Sequence, residues 1–219
     1  MKKVAVILSG CGVLDGSEIH ESVACMLALT RAGVAYQCLA PNILQTQAIN
    51  HLNQEKLPEV RQVLAEAARL ARGDIRDIAS VSANDFSAAL YPGGYGAAVN
   101  LCDFASSGVG HHVQTDVLNF AQQMATTHKP QGFICIAPIL IAKIYGPGVN
   151  ATIGSDPAMV AAMLAMGNHH QIAQVTDIII DETHKVVSTP AYMLANNIAD
   201  VFTGIERLVQ AVLALRTPS

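Results

Sequence analysis

Charge is what this sequence has least of. Charged residues make up 14% of its 219 positions, 13 Lys+Arg against 17 Asp+Glu, for a formal net charge of −4. No basic stripe is available to meet phosphates, which excludes a nucleic-acid binder. Long hydrophobic runs are missing as well. Mean hydropathy is +0.35, yet no stretch approaches the ~18 uninterrupted apolar residues of a membrane span. The opening MKKVAVIL sets lysines before an apolar run of only about five residues, short of the ~7–15 of a secretory leader, so it reads as a buried strand. No CxxC occurs among Cys11, Cys25, Cys38, Cys102 and Cys135. Their odd number and scatter point to reduced thiols and a cytoplasmic location.

What is present is core. At 51% hydrophobic, the chain can bury a large interior, and disorder is excluded. KVAVIL (3–8) predicts a strand covered on both faces. The spacing over 17–33 predicts a helix with Ser17 as N-cap and Gly33 as its stop. VAYQCLA (34–40) closes a βαβ unit, and 58–73 predicts a helix opened by Pro58. AALYPGGYG (88–96) is strand then glycine loop, 116–129 is a helix, and QGFICIAPIL (131–140) is strand, sharp turn and helix start. TDIIIDETHKVVST (176–189) predicts a β-hairpin, and 191–215 a long closing helix. Strands alternating with helices imply an α/β three-layer sandwich with a mainly parallel sheet, one domain over 1–219. In that architecture reactive groups collect at the carboxyl ends of strands, which places 9–16, 93–96 and Cys135 on one rim.

Three loops on this rim carry chemistry. A thiol on a tight strand-to-helix turn is pushed out of the sheet and meets unpaired amides, so it ionises more readily. Cys135 fits that description, although a buried cysteine is also an ordinary small hydrophobe. Pro138 suits a first helical turn, and the Ile136 amide is a natural oxyanion donor. In YPGGYGAAVNL (91–101), Gly93 or Gly94 supplies a second such amide, or simply a tight connection. SGCGVLDGSEIHES (9–22) lacks the third glycine of a dinucleotide fingerprint, since Asp15 stands there. Its Glu18 and Glu21 are either helix-dipole partners or acids that shuttle a proton beside a thiolate.

The segments VILSGCGVLDGSEIHE, INHL, YPGGYGAA, GFICIAP, TIGSD and TPAYMLANNIA, in this order, resemble the PfpI / Parkinsonism-associated deglycase superfamily, also called class I glutamine-amidotransferase-like. The resemblance is nearest to its isoprenoid biosynthesis glyoxalase branch, also called enhancing lycopene biosynthesis protein 2, and spans residues 3 to about 215. It implies a flavodoxin-like sheet and a nucleophile elbow at Cys135. It also implies a catalytic glutamate on the first helix, Glu21 with Glu18 as second candidate, and oxyanion positions at Gly94 and Ile136. The implied activity is lyase-type and glutathione-independent, taking glyoxal-type 2-oxoaldehydes to hydroxy acids with no cofactor. Amidase-like members carry His where Ile136 stands, so no amidase triad arises from that position. Other glyoxalases of the superfamily carry a His where Ser155 and Asp156 stand, which leaves proton transfer to glutamate and water.

Two other functions compete with this one: a redox-sensing module built on an oxidisable Cys135, and an amidotransferase-like protein without catalysis of its own. The histidine pairs His111-His112 and His169-His170, and His184 in the hairpin turn, lack ligand spacing, so no metal is assigned. The expected partners are a small aldehyde substrate and a second copy of the chain. Val201, Ile205, Leu208, Val209, Val212 and Leu215 on the last helix suggest a homodimer face.

Overall fold

The computed structural model describes residues 2–216. Strand β1 (Lys3–Ile7) sends Val4, Val6 and the following Leu8 into one core, and Ala5 and Ile7 into the other. Both faces are covered, which is why the run is apolar throughout. Helix α1 (Ile19–Arg31) crosses to β2 (Tyr36–Ala40), the parallel neighbour of β1. A small antiparallel ribbon, β3 (Ala48–Ile49) with β4 (Lys56–Leu57), precedes α2 (Val63–Leu70) and β5 (Ile75–Asp77). The chain then returns to the far side of β1 as β6 (Phe86–Tyr91). Helices α3 (Gly96–Val99), α4 (Phe104–Ser107) and α5 (Thr115–Thr126) lead to β7 (Gln131–Ile134), with Cys135 immediately after it, and α6 (Ile141–Tyr145) follows. A short parallel ribbon, β8 (Asn150–Ala151) with β9 (His169–His170), brackets α7 (Pro157–Ala165). The hairpin β10 (Ile179–Asp181) and β11 (Val186–Thr189) and the helix α8 (Ile198–Ala214) complete the chain.

The main sheet has seven strands in the order β10-β11-β7-β6-β1-β2-β5. Only the β10–β11 pair is antiparallel. Helices α1, α2 and α8 cover one face and α3, α5, α6 and α7 the other, the expected three-layer α/β sandwich with its hairpin. Strand order reverses at β1: β2 and β5 extend to one side, β6 and β7 to the other. The loops after β1 and β6 therefore diverge and open a crevice at their carboxyl ends.

Four local expectations are corrected. Ser17 is not the cap of α1: its Oγ accepts the Ser9 amide at 2.8 Å, while Glu18 caps the helix by accepting the Glu21 amide at 2.7 Å. Pro58 does not open α2. Residues 58–61 are not helical, and the chain pairs instead, with Leu44 bridged to Gln62 and the Gln45 amide on Arg61 O at 2.8 Å; pairing across the chain wins over helical propensity. The closing helix begins only at Ile198, where Asn197 Oδ1 accepts the Asp200 amide at 3.0 Å. Lastly, Val201, Ile205, Leu208, Val209 and Val212 of α8 are buried against the chain's own sheet and α1. These five are not free for a partner and Leu215 is half-buried, so the homodimer face expected on this helix is not there.

Candidate active site

Cys135 follows β7 with φ +60°, a left-handed conformation that costs a non-glycine residue on the order of 1 kcal/mol. The strain is held from both sides. Its amide donates to Thr189 O at 3.0 Å, and the chain turns at once into a 3-10 turn, Ala137–Leu140, carrying Pro138. The helix start behind the elbow is thus a single 3-10 turn ahead of five-residue α6. Individual amides, rather than a long helix dipole, act on the sulfur. The amides of Gly94 and Ile136 both hydrogen-bond to it, so the two expected oxyanion positions converge on the thiol.

Glu21, fully buried on the first turn of α1, is the acid that reaches Cys135. Its Oε2 accepts the Gly93 amide at 2.8 Å and its Oε1 the Tyr192 amide at 3.3 Å, and its carboxyl hydrogen-bonds to the Cys135 side chain. Glu18, the second candidate, turns back onto its own helix as the cap, and its amide donates to Gly93 O at 2.9 Å. Gly93 permits the contact. A Cβ there would lie 2.5 Å from Cys135 Cβ and 2.7 Å from Glu21 Oε2.

Burial, reinforced by the charge of Glu18, raises the Glu21 carboxyl to about 7. Burial and the negative charge of Glu21 push the Cys135 thiol up, opposed by the Gly94 and Ile136 amides. The two groups oppose each other's ionisation. Once Glu21 is protonated, its charge no longer opposes the thiolate, its O–H can donate to the sulfur, and the two amides favour the anion. As pH rises through about 7 the pair therefore passes from two protons to one, and that last proton is shared between carboxyl and sulfur.

A cavity of about 450 Å³ opens over Cys135. Val13 and Leu14 from the loop after β1, Ile49 and Gln54 from the β3–β4 ribbon, and Tyr192 and Met193 line it. Residues not singled out from the sequence fix these walls. Asp15, buried, accepts the Ile49 amide at 2.7 Å. The Leu14 amide donates to His51 Nε2 at 3.1 Å, so the proton lies on Nδ1 and is donated to Ile49 O at 3.1 Å. A Cβ on Gly12 would lie 2.6 Å from that imidazole, which explains the glycine. The only sequence signals were an acid at a would-be glycine position and a histidine in INHL. Ala191, at φ +44°, sets the adjoining Tyr192 amide against Glu21, and nothing in the sequence announced it.

The other thiols differ. Burial raises Cys38 and Cys102 to about 12 and Cys25 well above its usual value. Cys11 is raised by its partial burial. Of the histidines, His112 pairs with Asp103 at 3.5 Å and His184 with Asp181 at 3.0 Å. Among the described residues no group of three His, Cys, Asp or Glu is placed to hold a metal ion. No helix among them is long and apolar enough to cross a membrane.

No protein-family model matches the chain. It is 40% identical to "Glutamine amidotransferase-like class 1 domain-containing protein 3, mitochondrial" of Homo sapiens, over 97% of this chain and 83% of that protein. The crystal structure of an isoprenoid biosynthesis protein with amidotransferase-like domain from Ehrlichia chaffeensis superposes with a TM-score of 0.89 at 32% identity, covering 97% of this chain and 99% of that one. Glyoxalase III from Candida albicans shares the fold, with a TM-score of 0.65 at 10% identity over 99% and 98% of the two chains. With that sequence identity over nearly its whole length, the chain belongs to the class I glutamine amidotransferase-like family, on the DJ-1/PfpI-type fold.

Proposed function

We propose that this protein is a cofactor-free, glutathione-independent enzyme that converts 2-oxoaldehydes to 2-hydroxy acids with Cys135 and Glu21. One observation carries the reading: a buried carboxyl raised to about 7 is hydrogen-bonded to an elbow thiol that lines a cavity. The Cys135 thiolate forms a C–S bond to the aldehyde carbon of R–CO–CHO. The former carbonyl oxygen, facing the Gly94 and Ile136 amides, takes the proton from Glu21, giving a hemithioacetal. The Glu21 carboxylate then removes the C–H proton from that carbon, and the ketone oxygen gains a proton from water as the enediol forms. Reprotonation of the neighbouring carbon, with the enediol proton returned to water, leaves a thioester. Water adds to it, the C–S bond breaks, and R–CHOH–COOH departs. One carbon is oxidised and its neighbour reduced, so no external oxidant is needed.

An amidase-type reaction is less well supported, because Ile136 puts an alkyl chain where a histidine base is needed. The isoprenoid link comes from the name of the Ehrlichia relative, and its proposed extension to this chain is tested by isoprenoid levels in a deletion strain. A homodimer remains proposed on a different face: α7 carries no charged residue, buries only Met163 and leaves Leu164 55% exposed. Sedimentation equilibrium tests it. A cytoplasmic location is proposed on the free cysteines alone; the human relative is named a mitochondrial protein, and a fluorescent fusion decides. The activity itself is tested with purified, metal-free protein and glyoxal. Glycolate forms, and Cys135→Ala abolishes it; equal turnover by the variant would refute the reading.

A further inference from the structure

From the walls of the cavity over Cys135 we infer that the substrate's carbonyl end carries an uncharged, apolar tail of several carbons; this rests on the catalytic reading above. A two-carbon aldehyde occupies a small part of about 450 Å³, a volume within the ~300–1,000 Å³ of pockets that enclose drug-sized ligands. The side chains available to the remainder are hydrocarbon: Val13, Leu14, Ile49, Ile136 and Met193, with the ring of Tyr95. The polar side chains among them are neutral, the amides of Gln47 and Gln54 and the tyrosine hydroxyls. No lysine or arginine lines the cavity among the described residues, so a phosphate or carboxylate on the tail would find no cation there. Loss of hydration without a counter-charge rejects such a tail, while each methylene moved out of water favours binding by about four-fold.

Two measurements test this. The first is kcat/KM for glyoxal, alkylglyoxals of increasing length, phenylglyoxal and a chain of equal length ending in carboxylate. We expect a rise of about four-fold per methylene over the first few carbons, a return to the glyoxal value or below for the carboxylate, and a flatter rise in Val13→Asp. A rate that is flat with length, or as high for the carboxylate-ended chain, overturns the tail. The second does not need turnover: protection of Cys135 from iodoacetamide by 2-octanone and by 7-oxooctanoate. Saturable protection by the ketone alone supports the apolar tail even if no 2-oxoaldehyde reacts, an outcome that would defeat only the catalytic reading. Equal protection by both overturns the tail whatever the activity.

Discussion

Glu21 Oε2 accepts the Gly93 amide at 2.8 Å, and no side chain fits between Gly93 and the sulfur of Cys135. Carboxyl, glycine loop and thiol form one packed unit. Gly93→Ala is therefore expected to lower kcat/KM for glyoxal at least a hundred-fold. The accompanying overpacking penalty is about 1–3 kcal/mol, read as a fall in Tm. An alanine variant with full activity would show that the three groups do not need this approach.

Stability against pH reads the buried carboxyl directly. Glu21 is raised from 4.5 to about 7 in the folded chain, so the native state holds a proton that the unfolded state has released. Its contribution is fully present below 4.5 and is lost as pH rises through about 7. Over that window the loss is about 3 kcal/mol, or roughly 6–12 °C in Tm. Glu21→Gln should flatten that slope; an unchanged slope would contradict the assignment.

Glu18 acts on that proton through its charge and on α1 through its cap. Glu18→Gln retains a capping oxygen while removing the charge, so the activity midpoint tied to Glu21 should move below about 7 with little change in Tm. Glu18→Ala loses the cap too, at about 1 kcal/mol. A midpoint unmoved in both variants would show that Glu18 does not tune the pair.

His51 holds the wall rather than the chemistry. His51→Ala deprives the Leu14 amide of its acceptor, and KM for a tailed substrate should rise about five-fold with kcat changed less than two-fold. A loss confined to kcat would instead place the imidazole in the reaction.

The sheet and the elbow were legible because their signals are local. Continuous β-branched runs bounded by glycine mark strands buried on both faces, as the two cores on either side of Val4–Ile7 show. Cys135 was readable because a strand, a thiol and a proline follow one another within a few residues. The choice between Glu21 and Glu18 was not settled by the residues themselves, since it depends on which acid the cap consumes, and Ser17 was diverted to the Ser9 amide by a neighbouring loop. The stretch after Pro58 misled for the same reason: Arg61, Gln62 and Val63 pair with residues 43–45. The Asp15–Ile49 and His51–Leu14 bonds join segments about 35 residues apart, so spacing could not reveal them. The apolar face of α8 was read correctly as apolar and wrongly as free.

Alkylation of Cys135 by iodoacetamide, followed by peptide mass mapping against pH, tests the shared proton of Glu21 and Cys135 most directly. Cys135 should react faster than Cys25 or Cys38 at neutral pH, with a rate that rises through about 7 to a plateau, a step absent in Glu21→Gln. A thiol no faster than Cys25, or a pH profile identical in the two proteins, would contradict the account.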